Sequence, residues 1–96
     1  MNVKIQSLKF DADKKLTDFI ENKMTKLERF SDKITSSEVT LKLDKDIENG
    51  NKVVTISLLL PGDTLVAENQ CKTFEEAVDI SIDALKKQLE KYKTKH

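Results

Sequence analysis

The sequence predicts an α+β fold, a four-stranded sheet with two roughly parallel helices packed on one face, in the order β-α-β-β-β-α. Three observations lead there. Apolar residues recur at steps of two in four separate segments, the mark of strands with one buried face. They recur at steps of three and four in two longer segments, the mark of amphipathic helices. The second, third and fourth strand segments are joined by stretches too short for a helix, so those strands form an antiparallel meander.

The elements follow in order. Val3, Ile5 and Leu8 alternate with Lys4 and Gln6 as a short, half-buried strand. Asp11 and Asp13 then offer carboxylates to cap a helix, because a short side-chain oxygen can accept from the first free backbone N–H groups. Leu16, Phe19, Ile20, Met24, Leu27 and Phe30 form one apolar stripe on a helix from about Lys14 to Phe30. Val39, Leu41 and Leu43 alternate with polar residues as the second strand, and Asn49-Gly50 is a turn signal in which both residue types tolerate positive φ. Val54, Ile56, Leu58 and Leu60 define the third strand's inward face. Val53 and Leu59 make its other face apolar enough for a central or covered position. Pro61-Gly62 suits a type II turn, with proline fixing φ and glycine taking the positive φ. The fourth strand runs from about Thr64 to Gln70, with Leu65 and Ala67 inward. Thr73 and Glu76 have capping-box spacing, and Phe74, Val78, Ile82, Leu85, Leu89 and Tyr92 form the stripe of a second helix to about Lys93. Acidic residues in its first turns and lysines in its last complement the helix dipole. With both helices on one face, Lys4, Gln6, Thr40, Lys42, Thr55 and Ser57 lie on the other, which can face water.

A chain of 96 residues is one domain, 1–96, with one core. Cys71 is the only cysteine, so no disulfide within the chain and no CxxC metal pair can form. The N-terminus lacks the apolar core of a signal peptide, and the longest aliphatic run, Leu58-Leu59-Leu60, is far too short to span a bilayer. The expectation is a cytoplasmic protein with no membrane partner. Net charge is zero, but the charge is polarised. Asp63, Glu68, Glu75, Glu76 and Asp79 face only Lys72 in residues 63–82, whereas five lysines face Asp83 and Glu90 in residues 83–96. The sole histidine, His96, is terminal, which leaves no Ser-His-Asp or Cys-His arrangement. Gly50 and Gly62 are isolated turn residues rather than a phosphate-binding loop. Glu75, Glu76 and Asp79 read as capping and dipole residues before they read as a metal site. No enzyme, cofactor, metal or small-molecule substrate is expected.

Two stretches resemble a known family. The first is Asn22-Lys23-Met24-Thr25-Lys26-Leu27-Glu28-Arg29-Phe30. The second runs from Ala67 to Lys93 and includes Asp83-Ala84-Leu85-Lys86-Lys87-Gln88-Leu89-Glu90-Lys91. Together with length and element order they resemble the ribosome hibernation promoting factors and the related ribosome-associated inhibitor, the sigma-54 modulation proteins. The likeness covers essentially the whole chain and is to the short members, without the C-terminal dimerisation domain of the long ones. It implies a cytoplasmic, ribosome-associated inhibitor of translation. Its partner would be the small ribosomal subunit, its rRNA and ribosomal proteins, bound at the decoding region across the mRNA channel and tRNA sites. Carried over by position, the rRNA-binding residues are Lys23 and Lys26 on the first helix and Lys87 and Lys91 on the second. Lys86 and Lys93 neighbour them, and Ala84 stands where relatives carry a further basic residue.

The physics of such binding is independent of the family. Two helices side by side on a sheet make a ridge with a groove, and lysines along it can meet closely spaced phosphates and displace counterions. Lysine is a flexible point charge that suits backbone attraction better than base reading. Against this stands the plain reading of a lysine-rich helix as a solvated face. Lys23 falls inside the apolar sector of its helix. It should lay its stem on the core edge and bring its ammonium out between the helices. Tyr92 should pack its ring with its hydroxyl exposed, and Phe10, Phe19, Phe30 and Phe74 belong to the core rather than to a base-stacking platform. The alternative function is a protein–protein interaction module of neutral surface, using the open sheet face or an outer strand edge. An acylphosphatase-like enzyme would need an arginine in an anion-binding loop, and the single arginine, Arg29, lies late in the first helix.

Overall fold

A computed structural model describes residues 2–45 and 48–95 of the chain. The element order is β1 (Asn2–Ser7), α1 (Lys14–Phe30), β2 (Ser36–Leu43), β3 (Lys52–Leu60), β4 (Asp63–Cys71) and α2 (Phe74–Lys95). The sheet runs β1-β2-β3-β4, with β1 parallel to β2 and the other pairs antiparallel. That is the expected α+β arrangement. The β1-α1-β2 unit is a crossover, because a parallel pair cannot be joined by a tight turn.

Register fixes what the sheet shows on each side. Val3, Ser37, Leu58 and Leu65 share one row, and Ile5, Val39, Ile56 and Ala67 the next; these face the helices. Lys4, Glu38, Ser57 and Val66 share a row on the opposite side, followed by Gln6, Thr40, Thr55 and Glu68. The core joins the inner rows to Leu16, Ile20, Met24 and Leu27 of α1 and to Phe74, Val78, Ile82, Leu85, Leu89 and Tyr92 of α2. Both helical stripes are therefore the buried faces that the spacing predicts. A row of four aliphatic side chains on each helix, each stabilising by about 1.5–3 kcal/mol when fully buried, is what fixes the two helices on the sheet.

Both starts of helix are capped as their residues require. Asp13 is the N-cap of α1, its Oδ1 accepting from the Leu16 N–H at 2.8 Å. Thr73 Oγ1 accepts from the Glu76 N–H at 3.1 Å. Gly62 closes the β3–β4 turn at φ 77°, the value a type II turn needs.

Several expectations need correction. β1 ends at Ser7, and Leu8 is exposed because alternation puts it on the outward face with Lys4 and Gln6, although its N–H still donates to the Leu41 carbonyl; the chain turns at Lys9, with φ 65°. Leu43 at the end of β2 is exposed as well. In the β2–β3 connection only Gly50 of the Asn49-Gly50 pair has positive φ, at 110°, and packing also demands the glycine there. A Cβ on Gly50 would stand 2.4 Å from the Cys71 carbonyl carbon. Helix α2 runs two residues further than the spacing predicts, to Lys95. Tyr92 is buried as expected, but its hydroxyl donates to the Pro61 carbonyl at 2.8 Å instead of facing water. Phe74 is buried and stacks on Phe10 at 5.3 Å between ring centroids, while Phe10, Phe19 and Phe30 are half-buried at the core's edge. His96 lies outside the described residues.

Candidate nucleic-acid interface

The sheet dictates the relation of the two helices. Each follows a strand of the same direction, since β1, β2 and β4 run one way and β3 the other, so both return antiparallel to those strands and lie parallel to each other. Between them runs an open groove of about 330 Å³, lined by Lys23, Lys26 and Leu27 of α1 and by Asp79, Ile82, Asp83 and Lys86 of α2. Leu27 and Ile82 form its apolar floor, and the charged residues form its walls.

Lys23 behaves as its place in the stripe predicts. Its Nζ stands 5.4 Å from the centroid of the Phe19 ring and 3.0 Å from Asp79 Oδ1. The stem follows the core edge and the ammonium emerges into the groove, with a third of the side chain exposed. Among the described residues, Lys26 and Lys86 hold no ion pair.

The other two predicted lysines do not line this groove. Lys91 lies over a second hollow, with Asp63, Leu65, Gln88 and Tyr92, near the β3–β4 turn. Lys87 is exposed, and at four residues' spacing it is Lys91's neighbour on the helix surface. The five residues therefore form two clusters: Lys23, Lys26 and Lys86 between the helices, and Lys87 with Lys91 on the outer flank of α2. Lys93 is engaged in packing. Its Nζ donates to the Phe30 carbonyl at 2.9 Å and sits 4.7 Å over the Phe30 ring, tying α2 to the free C-terminal carbonyls of α1.

Three features were not visible in the sequence. Asp79 read as a dipole residue, but it spans the groove to Lys23. Asn69, on the inner face of β4, donates to the buried Ser81 Oγ at 2.9 Å and so fixes where α2 sits along the sheet. Gln88 does the same from the exposed side, its Nε2 donating to the Val66 carbonyl at 3.0 Å. The Cys71 thiol packs against the core, and burial, helped by the charge of Glu76, pushes its pKa up. Among the described residues no three His, Cys, Asp or Glu side chains gather as a metal site, and no helix is long and apolar enough to cross a membrane.

Comparison with known proteins agrees over the full fold. A family model described as sigma 54 modulation protein / S30EA ribosomal protein matches residues 3–96. The ribosome hibernation promoting factor of Azotobacter vinelandii is 32% identical over 95 residues, covering 99% of this chain and 85% of its own length. The ribosome hibernation promotion factor of Deinococcus radiodurans is 32% identical over 83 residues, 84% of this chain. This chain spans 43% of that relative's length. Among solved structures, a ribosomal subunit interface protein from Coxiella burnetii superposes with a TM-score of 0.84 at 26% identity. That superposition covers 98% of this chain and 99% of the other.

Proposed function

We propose, from the premise that this chain belongs to the sigma 54 modulation protein / S30EA ribosomal protein family, that it is a ribosome hibernation factor. It binds the small subunit at the decoding region and inhibits translation by occupying the space of mRNA and tRNA, with no chemical step. The observation that carries this reading is the family match through both helices and all four strands, in a chain whose helical layer presents two lysine clusters. Lys23, Lys26 and Lys86 would face phosphates entering the interhelical groove. Lys87 and Lys91 would extend the contact along the flank of α2. Each acts by displacing counterions rather than by reading bases. The site of action is the cytoplasm, on the ribosome.

Co-sedimentation of the purified protein with separated ribosomal subunits, at low and high salt, tests this. Pelleting with the small subunit that weakens steeply between about 50 and 200 mM salt is expected. Binding that is indifferent to salt would favour an apolar interface. One observation supports that second reading: Leu59 and Val66, diagonal neighbours on the open sheet face, are 50% and 49% exposed.

A further inference from the structure

We infer that Asp79 is a built-in brake on polyanion binding: it holds Lys23 in an ion pair across the interhelical groove, and an RNA phosphate must displace it to use that lysine. The inference rests on the functional reading above and deepens it by naming a residue that sets its strength.

The geometry gives the reason. Among the described residues Lys23 Nζ has one carboxylate partner, Asp79 Oδ1 at 3.0 Å, and it stands 5.4 Å from the centroid of the Phe19 ring. A phosphate drawn to this ammonium must therefore compete with Asp79 for it. Asp83, one turn further along α2, lines the same groove. Two aspartates thus stand among three lysines in the cleft where phosphates would lodge. The ion pair is not needed to fasten the helices. Asp79 is half exposed, and exposed pairs contribute about 0–1 kcal/mol. The apolar stripes and the Lys93–Phe30 contact already hold α1 against α2. Removing the carboxylate therefore frees a positioned cation at little cost to the fold.

The test is Asp79→Asn, which keeps the side chain's size and removes its charge. Binding to the isolated small subunit and to a model RNA duplex is measured from 50 to 200 mM salt, beside thermal unfolding. The expected result is binding about three- to tenfold tighter at 50 mM salt, with the slope of log K against log salt steeper by about 0.7–0.9, the signature of one more neutralised phosphate. The gain should fall to less than half in a Lys23→Gln background, which separates release of Lys23 from a general change of charge. If the wild type binds and Asp79→Asn binds equally or more weakly, the brake is overturned while the functional reading stands. An undiminished gain in the Lys23→Gln background also overturns it. If neither protein binds, the functional reading fails and takes this inference with it.

Discussion

Single residues carry unequal constraints, and the two glycines show how. Both take positive φ, but a Cβ on Gly62 meets nothing within 4 Å, whereas one on Gly50 would press into the backbone of Cys71 and Lys72. Gly62→Ala should therefore cost only the backbone term, about 1–2 kcal/mol. Gly50→Ala adds an overpacking cost of about 1–3 kcal/mol against main chain that cannot rotate aside. For a domain of this size each kcal/mol lowers Tm by about 4–8 °C, so thermal unfolding of the two variants should rank them clearly. Similar small losses for both would mean that the β2–β3 connection moves away from Cys71 without penalty. The glycine's need for positive φ was legible in the sequence. The close approach was not, because it depends on where β4 ends.

At the scale of elements, α1 depends on its first turn. Among the described residues no acidic side chain other than the cap stands at its start, since the turn begins Lys14-Lys15, which opposes the helix dipole. Asp13 therefore supplies both the acceptor for the Leu16 N–H and the favourable charge. Asp13→Ala should destabilise by about 1–2 kcal/mol, and Asp13→Asn, which keeps the acceptor, by clearly less. Equilibrium unfolding in urea measures both, and equal losses would make charge rather than capping the dominant effect. Caps, apolar stripes and strand alternation were readable because each is a short-range pattern along one element. Contacts between elements were not. Lys23's place in the apolar sector announced an unusual lysine, but nothing near it in sequence announced Asp79. The Asn69–Ser81 hydrogen bond, too, joins residues whose spacing has no meaning until α2 lies on β4. The clustering of Lys86 with α1, apart from Lys87 and Lys91, likewise follows from how far α2 is rotated over the sheet, and one residue's step decides it.

For the whole molecule, zero net charge and two lysine clusters on the helical layer make distribution the governing quantity. Bulk charge gives this protein no long-range attraction to RNA, so binding must come from local phosphate contacts, within a Debye length of about 8–10 Å. Lys87→Glu with Lys91→Glu isolates that term. Both residues are exposed, so stability should stay within about 0.5 kcal/mol, while small-subunit binding weakens and its salt slope shrinks by about two contacts' worth. The same change of net charge on the opposite side of the molecule is the control. Lys4→Glu with Lys42→Glu alters the open sheet face, where both lysines are exposed, and should leave binding nearly unchanged. If both pairs weaken binding equally, the overall field governs and no face has been identified. If only the sheet-face pair matters, the interface lies opposite the helices, on the side where Leu59 and Val66 are exposed. Loss confined to the α2 pair would put the flank of that helix in contact with RNA, with the groove, where Asp79 opposes Lys23, as its continuation.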